Sequence, residues 1–236
     1  MERLTEKVSN SISLLMPYNF RFANENDIPF LVESIIAAEK SGSTLCGLSN
    51  LLGLDEEQTA IGLNKILQEE IEGCEFSTTE FAVATSDGIP VAAFCGWIEG
   101  DNEDNQPSAL LKSNLLIHGF GTSIIPHLQN QKDLLTAIQL GRTPGTHQVE
   151  YAFVHEEHRG KKLIDQLIHF LLTHAKNKKP DLQFAQVQVY ANNTRAIDVY
   201  KRMGYEPFQK AVYSPEMNGQ ILPYHEKWTL QKNLNQ

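Results

Sequence analysis

The sequence has 236 residues, 41% of them hydrophobic and 21% charged, which is typical of a globular protein and unlike a disordered or fibrous one. It contains no apolar run near the roughly 20 residues that span a bilayer, no N-terminal secretory signal, and only three scattered cysteines, so we expect a cytoplasmic protein without disulfides. A net charge of −9 argues against a general nucleic-acid binder.

The first hundred residues predict strands and helices in the order strand, helix, helix, strand, strand. Period-two alternation marks the strands, and helix caps mark the helices, including the capping-box spacing of Asp55 and Gln58. The predicted elements are a strand Asn19–Ala23, a helix from Asp27 as N-cap to Lys40, a helix from Asp55 to just before Gly73, and a hairpin of strands Glu80–Thr85 and Pro90–Ile98.

The next segment, about 105–145, predicts two helices over 107–140. We expect this insertion to form a lid, a dimer surface or added core.

The remaining elements are a strand 148–154, a helix 160–176, a strand 184–190, a helix 194–203, and closing strands 206–213 and 221–230. A strand, a helix and a strand within about forty residues predict a crossover that makes strands 148–154 and 184–190 parallel.

Charge is divided unevenly along the chain. Residues 1–150 hold 8 basic and 21 acidic side chains, whereas residues 151–236 hold 12 and 8. This division suits an anionic ligand in the C-terminal part and a cation near the acidic part. Ordinary solubility charge is the alternative explanation.

The residues most informative about chemistry are VHEEHRGKKL over 154–163, where a strand ends and a helix begins. The first amides of a helix lack intrahelical partners and carry the positive end of the helix dipole. Three basic side chains, Arg159, Lys161 and Lys162, add to that charge. The turn therefore predicts a phosphate or pyrophosphate site, against the alternative of a solvated basic turn.

This run resembles the acetyl-CoA pyrophosphate loop of the GNAT N-acetyltransferase superfamily, V-x-P-E-Y-R-G-x-G-x-G. The residues NTRAIDVYKRMGY over 193–205 are similar to the second signature of that family, N-x-x-A-x-x-x-Y-x-x-x-G-F. The resemblance covers about 147–230 well, and 18–98 only as a pattern of elements. Lys162 and Ile164 depart from it, because the family prefers small residues there.

The resemblance implies a mixed α/β fold in a single domain over 1–236. Its twisted sheet would be mostly antiparallel with one central parallel pair and helices on both faces. The helical insertion at about 105–145 would lie between the third and fourth strands. Coenzyme A would sit between strands 148–154 and 184–190.

It also implies roles for individual residues. Glu150 is the candidate base; it lies four residues before Val154 on one strand, so the two should share a face, and a surface carboxylate is the alternative. Tyr200 matches the family's acid, with simple packing as the alternative, and Asn193 either contacts the pantetheine arm or caps a helix. The predicted acetyl-CoA contacts are Phe153, Val154, His158, Arg159, Gly160, Lys161, Lys162, Leu163 and Asn193, with the amides of Phe153 and Val154 facing the thioester oxygen.

The expected activity is direct transfer of an acetyl group from acetyl-CoA to a primary amine, small or peptidyl and cationic, without a covalent enzyme intermediate. We expect no metal, because His155 to His158 is one residue short of H-E-x-x-H. Cys95 fits a buried small residue better than a nucleophile. The alternatives are a non-catalytic acyl-CoA-binding module and a nucleotide-binding interaction protein. We expect no nucleic-acid or membrane partner, and leave the oligomeric state open, a dimer included.

Overall fold

The computed structural model describes residues 18–69 and 71–235. The first 17 residues, for which the sequence predicts no secretory signal, lie outside this range. The strands are β1 Asn19–Phe22, β2 Phe81–Ser86, β3 Ile89–Ile98, β4 His147–Val154, β5 Phe184–Tyr190, β6 Glu206–Val212 and β7 Glu226–Asn233. The α-helices are α1 Ile28–Lys40, α2 Gly47–Leu52, α3 Glu56–Leu67, α4 Ser108–Phe120, α5 Ile125–Asn130, α6 Lys132–Ile138, α7 Leu163–Lys178, α8 Thr194–Arg202 and α9 Pro215–Asn218.

The seven strands form one sheet in the order β1-β2-β3-β4-β5-β7-β6. Every neighbouring pair is antiparallel except β4 and β5, which run parallel with Val149 opposite Val187. The predicted mixed α/β sheet with one central parallel pair is confirmed. A crossover through α7 connects that pair, because parallel neighbours cannot be joined by a tight turn.

Helices cover both faces of the sheet, as predicted. The front face, as we name it, carries α1 to α4 and a core that includes Leu31, Ile35, Leu63, Ile66 and Leu115. The back face carries α7 and α8 and a core that includes Phe94, Leu167, Ile168, Ile197 and Tyr200. Within the described part of the chain, every helix is too short or too polar to span a bilayer.

Two helix starts illustrate how local sequence sets the fold. Both reciprocal hydrogen bonds of the Asp55–Gln58 capping box are present. In one of them, Gln58 N donates to Asp55 Oδ1 at 2.8 Å. Asp27 occupies the N-cap position of α1 but does not cap it. Its carboxylate instead accepts hydrogen bonds from Arg21 at 2.6 and 2.9 Å and from the Asn24 amide. The Arg21 ion pair and a capping box with Asn24, which begins a short 3-10 turn before α1, have therefore replaced the predicted cap.

Several element boundaries differ from prediction for identifiable reasons. The insertion holds three helices rather than two, because Gly121 at φ 75° ends α4 and a break at Gln131 separates α5 from α6. The final strand begins at Glu226 rather than Ile221, because Leu222 is buried against Leu134 of the insertion. The short helices α2 and α9 were missed, since six and four residues carry little periodic signal.

Part of the insertion is added core. Leu115 and Ile124 are buried in the front core, and α4 packs closely on α3. A methyl group at Gly119 would lie 2.4 Å from Ile66 Cγ1 and 2.9 Å from the Gly62 carbonyl oxygen. The two helices therefore approach each other through glycines. That residues 1–236 form a single domain stays a prediction.

We predict that Gly119→Ala destabilises the protein by about 1–3 kcal/mol, because the added methyl forces α3 and α4 apart. Denaturant unfolding measures the change. The direction of the change in unfolding free energy is informative, because replacing glycine with alanine inside a helix would otherwise stabilise the protein by about 1 kcal/mol. Gly141→Ala is the matched control, because nothing lies within 4 Å of the added methyl there. Equal stability of the two variants would contradict close packing at Gly119.

Candidate active site

The two parallel strands separate soon after they meet. β4 and β5 pair only over 147–149 and 185–187, and then diverge. A cavity of about 900 Å³ opens at the divergence. Its wall is formed by β4, β5, the end of α1, the loop before α7, α8 and Lys227 of β7. All the predicted site residues except Lys161 line it.

A β-bulge in β4 directs the side chains around this cavity. Cys95 pairs with Glu150 and Ala93 pairs with Phe153, so β4 has one extra residue here. Tyr151 has φ 58°, which is unusual for a bulky residue. The extra residue shifts the alternation: Glu150 lies on the front face, whereas Val154 packs with the back core. The prediction that Glu150 and Val154 share a face is wrong, although both line the cavity.

The predicted phosphate loop forms an open turn at the back of the sheet. Gly160 has φ 79° and Lys162 has φ 58°, so the backbone is left-handed at both. For this reason α7 begins at Leu163, three residues later than predicted. The first intrahelical donor is the amide of Gln166, bonded to the Lys162 carbonyl at 3.2 Å. The amides before it are left without helical acceptors.

The three cations of this turn are exposed, and two of them, Arg159 and Lys162, line the cavity. Arg159 Nε donates to the Val154 carbonyl at 3.2 Å, which leaves the rest of its guanidinium available. Arg195 and Arg202 of α8 also line the cavity, although the sequence analysis did not select them. Their spacing of seven residues is about two helical turns, so the sequence could have shown that both lie on one side of α8. His158 Nδ1 lies 2.9 Å from the Tyr18 hydroxyl.

Asn193 and Tyr200 lie at the two ends of α8. The Asn193 side chain caps the helix by accepting from the Ala196 amide at 3.2 Å, and donates to Ser41 Oγ at 3.3 Å. Tyr200 is buried, with its ring stacked 6.5 Å from Phe94. Burial raises the pKa of the Tyr200 phenol. The phenol therefore keeps its proton at neutral pH.

Glu150 belongs to a largely buried ionic cluster, centred on the fully buried Glu75, that the sequence did not reveal. Its Oε1 accepts from Arg142 Nη2 at 2.5 Å, and the same nitrogen lies 2.9 Å from Glu75 Oε1. Lys112 also contacts Glu75, at 2.9 Å. Burial alone would raise the pKa of Glu75, but Arg142 and Lys112 outweigh it and lower that pKa to about 2. We name Glu75, Lys112, Arg142 and Glu150 the ionic cluster.

The insertion region supplies both cations of the ionic cluster. Lys112 comes from α4, and Arg142 from the segment between α6 and β4. Arg142 also donates to Ser108 Oγ at 2.9 Å and lies 4.9 Å above the Trp97 ring. These contacts fix the guanidinium, and through it one oxygen of Glu150. The insertion thus contributes directly to the geometry of the cavity.

Two further charged residues of the front wall were missed. Glu39, in the last turn of α1, accepts a hydrogen bond from the Tyr151 hydroxyl at 3.2 Å. Burial raises the pKa of Glu39, although Lys112 and Lys227 oppose the shift. A carboxylate in the last turn of a helix is unfavourable beside the negative end of the helix dipole. This position was the feature of the sequence that could have drawn attention to Glu39. Lys227 projects from β7 and lines the same cavity.

Two other kinds of chemistry, a metal site and a cysteine nucleophile, can be compared with the geometry. Among the described residues, no three His, Cys, Asp or Glu side chains gather as they would around a metal ion. Cys95 is buried in the front core, and burial raises the pKa of its thiol well above the ordinary value. It is therefore a core residue, without the thiolate character of a nucleophile.

Comparison with known proteins agrees with this geometry. The model of the Acetyltransferase (GNAT) family matches residues 62–205. No curated protein matches the sequence.

Solved structures share the fold at low sequence identity. A crystal structure of an acetyltransferase is 15% identical, with a TM-score of 0.59 over 92% of this chain and 99% of the other. An agmatine N-acetyltransferase is 14% identical, with a TM-score of 0.55 over 93% and 100%. A Drosophila melanogaster polyamine N-acetyltransferase is 13% identical, with a TM-score of 0.55 over 92% and 100%.

We predict that Glu75→Gln lowers stability by about 3 kcal/mol at pH 7, because Arg142 and Lys112 lose their buried counter-charge. The wild-type Glu75 has a lowered pKa, so its contribution is complete above pH 4.5 and disappears as the pH falls toward 2. Denaturant unfolding at pH 7 and pH 3 should therefore give a smaller difference at pH 3. Glu103→Gln, at an exposed position, serves as control. A difference independent of pH would contradict the ionic origin.

Proposed function

Because the chain belongs to the GNAT acetyltransferase family, we propose that it transfers the acetyl group of acetyl-CoA to a primary amine, by direct attack within a ternary complex. The observation that carries this proposal is the continuity of one cavity through the divergence of β4 and β5. It joins a cationic helix start on the back face to carboxylates on the front face. A thioester and an amine can meet there from opposite sides.

The turn before α7 is the proposed pyrophosphate site. A side-chain-sized space lies open at Gly160, so the ligand can approach the backbone closely. Free helix amides and the side chains of Arg159, Lys161 and Lys162 supply donors and positive charge. The left-handed backbone at Lys162 costs a non-glycine residue about 1–2 kcal/mol, which accounts for the small residue that the family pattern has at this position. Nothing in the structure explains why this chain has a lysine instead.

The acceptor amine is proposed to enter from the front face. An amine with an ordinary pKa near 10.4 is almost fully protonated at pH 7, so it must lose a proton before it attacks. Glu150 has one oxygen held by Arg142, and the other faces no donor among the described residues. It is the proposed base, directly or through a water. Glu39, whose carboxylate accepts a hydrogen bond from the Tyr151 hydroxyl and whose pKa is raised by burial, is a second acceptor for that proton.

Tyr200 is the proposed acid. As the amine nitrogen bonds to the acetyl carbon, the carbon–sulfur bond breaks and the sulfur needs a proton. Tyr200 lines the cavity on the back face, and its hydroxyl bonds to none of the described residues. It can therefore donate to the sulfur. The agmatine and polyamine acceptors of the structural neighbours agree with an amine acceptor in general, but identities of 13–14% carry no acceptor to this chain.

We predict that Arg159→Ala weakens CoA binding about tenfold, because one charge-assisted contact to the diphosphate is lost. Isothermal calorimetry at fixed ionic strength measures the dissociation constant. Lys210→Ala, which removes an exposed lysine of the edge strand β6, is the matched control and should leave it unchanged. Displacement of CoA by ATP at equal concentration would instead support a nucleotide-binding protein.

We predict that Tyr200→Phe lowers kcat about 100-fold, with a much smaller change in KM for acetyl-CoA, because only the proton donor is removed. Thiol release with a panel of primary amines measures the rates. Tyr205→Phe is the control, since the Tyr205 hydroxyl is buried without a partner among the described residues and does not line the cavity. Saturable CoA binding without turnover of any amine would favour the non-catalytic alternative.

A further inference from the structure

Lys227 is a cation inside the proposed acceptor site with no counter-ion in contact. It lies near the start of β7, opposite Tyr190 of β5, and is only partly exposed. Its side chain lines the cavity on the front face, the face that also carries Glu150. No described residue forms a hydrogen bond or ion pair with its ammonium group.

The neighbouring charges differ from Lys227 in this respect. Lys112 and Arg142 both contact Glu75, and Arg142 also contacts Glu150. Glu39 resembles Lys227, because no described counter-ion is in contact with it. The hydrogen bond that it accepts comes from the neutral Tyr151 hydroxyl. Glu39 and Lys227 influence each other electrostatically without coming within ion-pair distance. On the front wall, Glu39 and Lys227 are thus an acidic and a basic side chain that form no ion pair with the described residues.

Such an arrangement is costly in the protein without a ligand. Burial lowers the pKa of Lys227 and raises that of Glu39, so both charged forms are poorly solvated. A buried charge is normally paired, because desolvation without a partner costs several kcal/mol. A ligand that carries both an ammonium and an anionic group would satisfy both side chains at once.

We propose that the acceptor is an amine that also bears a carboxylate close to the reacting nitrogen, as an amino acid does. Lys227 binds the carboxylate, and the amine faces Glu39 and Glu150. This inference rests on the proposed function and adds to it the class of acceptor. It refines the expectation of a cationic acceptor: the amine is cationic, and the molecule as a whole is zwitterionic.

A competing explanation assigns Lys227 no contact with the acceptor. In that case its charge only balances Glu39 and Glu150, and its loss would affect every amine equally. The two explanations therefore differ in acceptor selectivity rather than in overall rate.

Matched acceptors test this difference: arginine against agmatine, lysine against cadaverine, and phenylalanine against phenethylamine. Each pair differs only by the carboxylate next to the amine. For at least one pair, we expect wild-type kcat/KM to be about 10- to 100-fold higher for the amino acid. Lys227→Gln should remove most of that preference, so that the ratio of kcat/KM for the amino acid to kcat/KM for its decarboxylated amine falls toward one. Lys227→Arg, which keeps the charge, should retain part of the preference.

Lys232→Gln is the matched control, because Lys232 lies on the same strand and does not line the cavity. Unchanged CoA binding by each variant shows that it is folded. Preference for the decarboxylated amine in all three pairs would overturn the inference, and so would an equal effect of Lys227→Gln on both members of each pair.

A binding measurement separates this inference from the proposed function. The melting temperature of the protein with CoA is recorded with each acceptor added. If amino acids raise it in wild type but not in Lys227→Gln, while no acceptor releases thiol from acetyl-CoA, then the acceptor class stands and the transferase activity does not. If thiol is released without any preference for the carboxylate, the activity stands and the acceptor class is overturned.

Discussion

The separation of β4 from β5 is the constraint on which the rest of this structure depends. Parallel strands satisfy each other's backbone groups, so a pair that diverges after three residues leaves strand edges open in the middle of the sheet. The gap gives a cavity of about 900 Å³ access to both faces. The bulge at Tyr151 then turns Glu150 to the front while Val154 stays at the back. One strand thereby contributes side chains to both halves of the site.

Charge is organised differently at the two ends of this cavity. At the back, Arg159 and Lys162 are exposed and form no ion pair with the described residues, which suits a highly charged ligand that arrives with its own counter-charge. At the front, the ionic cluster is buried at Glu75 and partly buried elsewhere, and its two cations balance its two carboxylates. Arg142 bridges two carboxylates, and its loss would leave both of them uncompensated. The helical insertion is therefore tied to the front end of the cavity by these ion pairs, and to the front core by its buried apolar residues.

Lys162 and Tyr151 show how backbone strain accompanies this arrangement. Each is a non-glycine residue with φ 58°, and each lies on the cavity wall. Such conformations persist only where surrounding contacts hold them, and they cluster at functional sites. At Lys162, the left-handed backbone delays the start of α7 and keeps the preceding amides outside the helix. At Tyr151, it produces the bulge and brings the hydroxyl to Glu39.

The sequence by itself determined the order of the main elements and the parallel pair, because these depend on local periodicity. Short motifs also selected Arg159, Gly160 and Tyr200, which line the cavity; their roles stay predictions. Only the tertiary structure decided the front half. Glu39, Lys227, Glu75 and Arg142 are far apart in the chain and meet through packing of the insertion and α1 on the sheet. Local reasoning also could not predict the face of the sheet on which Glu150 lies. A single extra residue in β4 reverses that face relative to Val154, and no turn residue or glycine in the sequence marks the bulge.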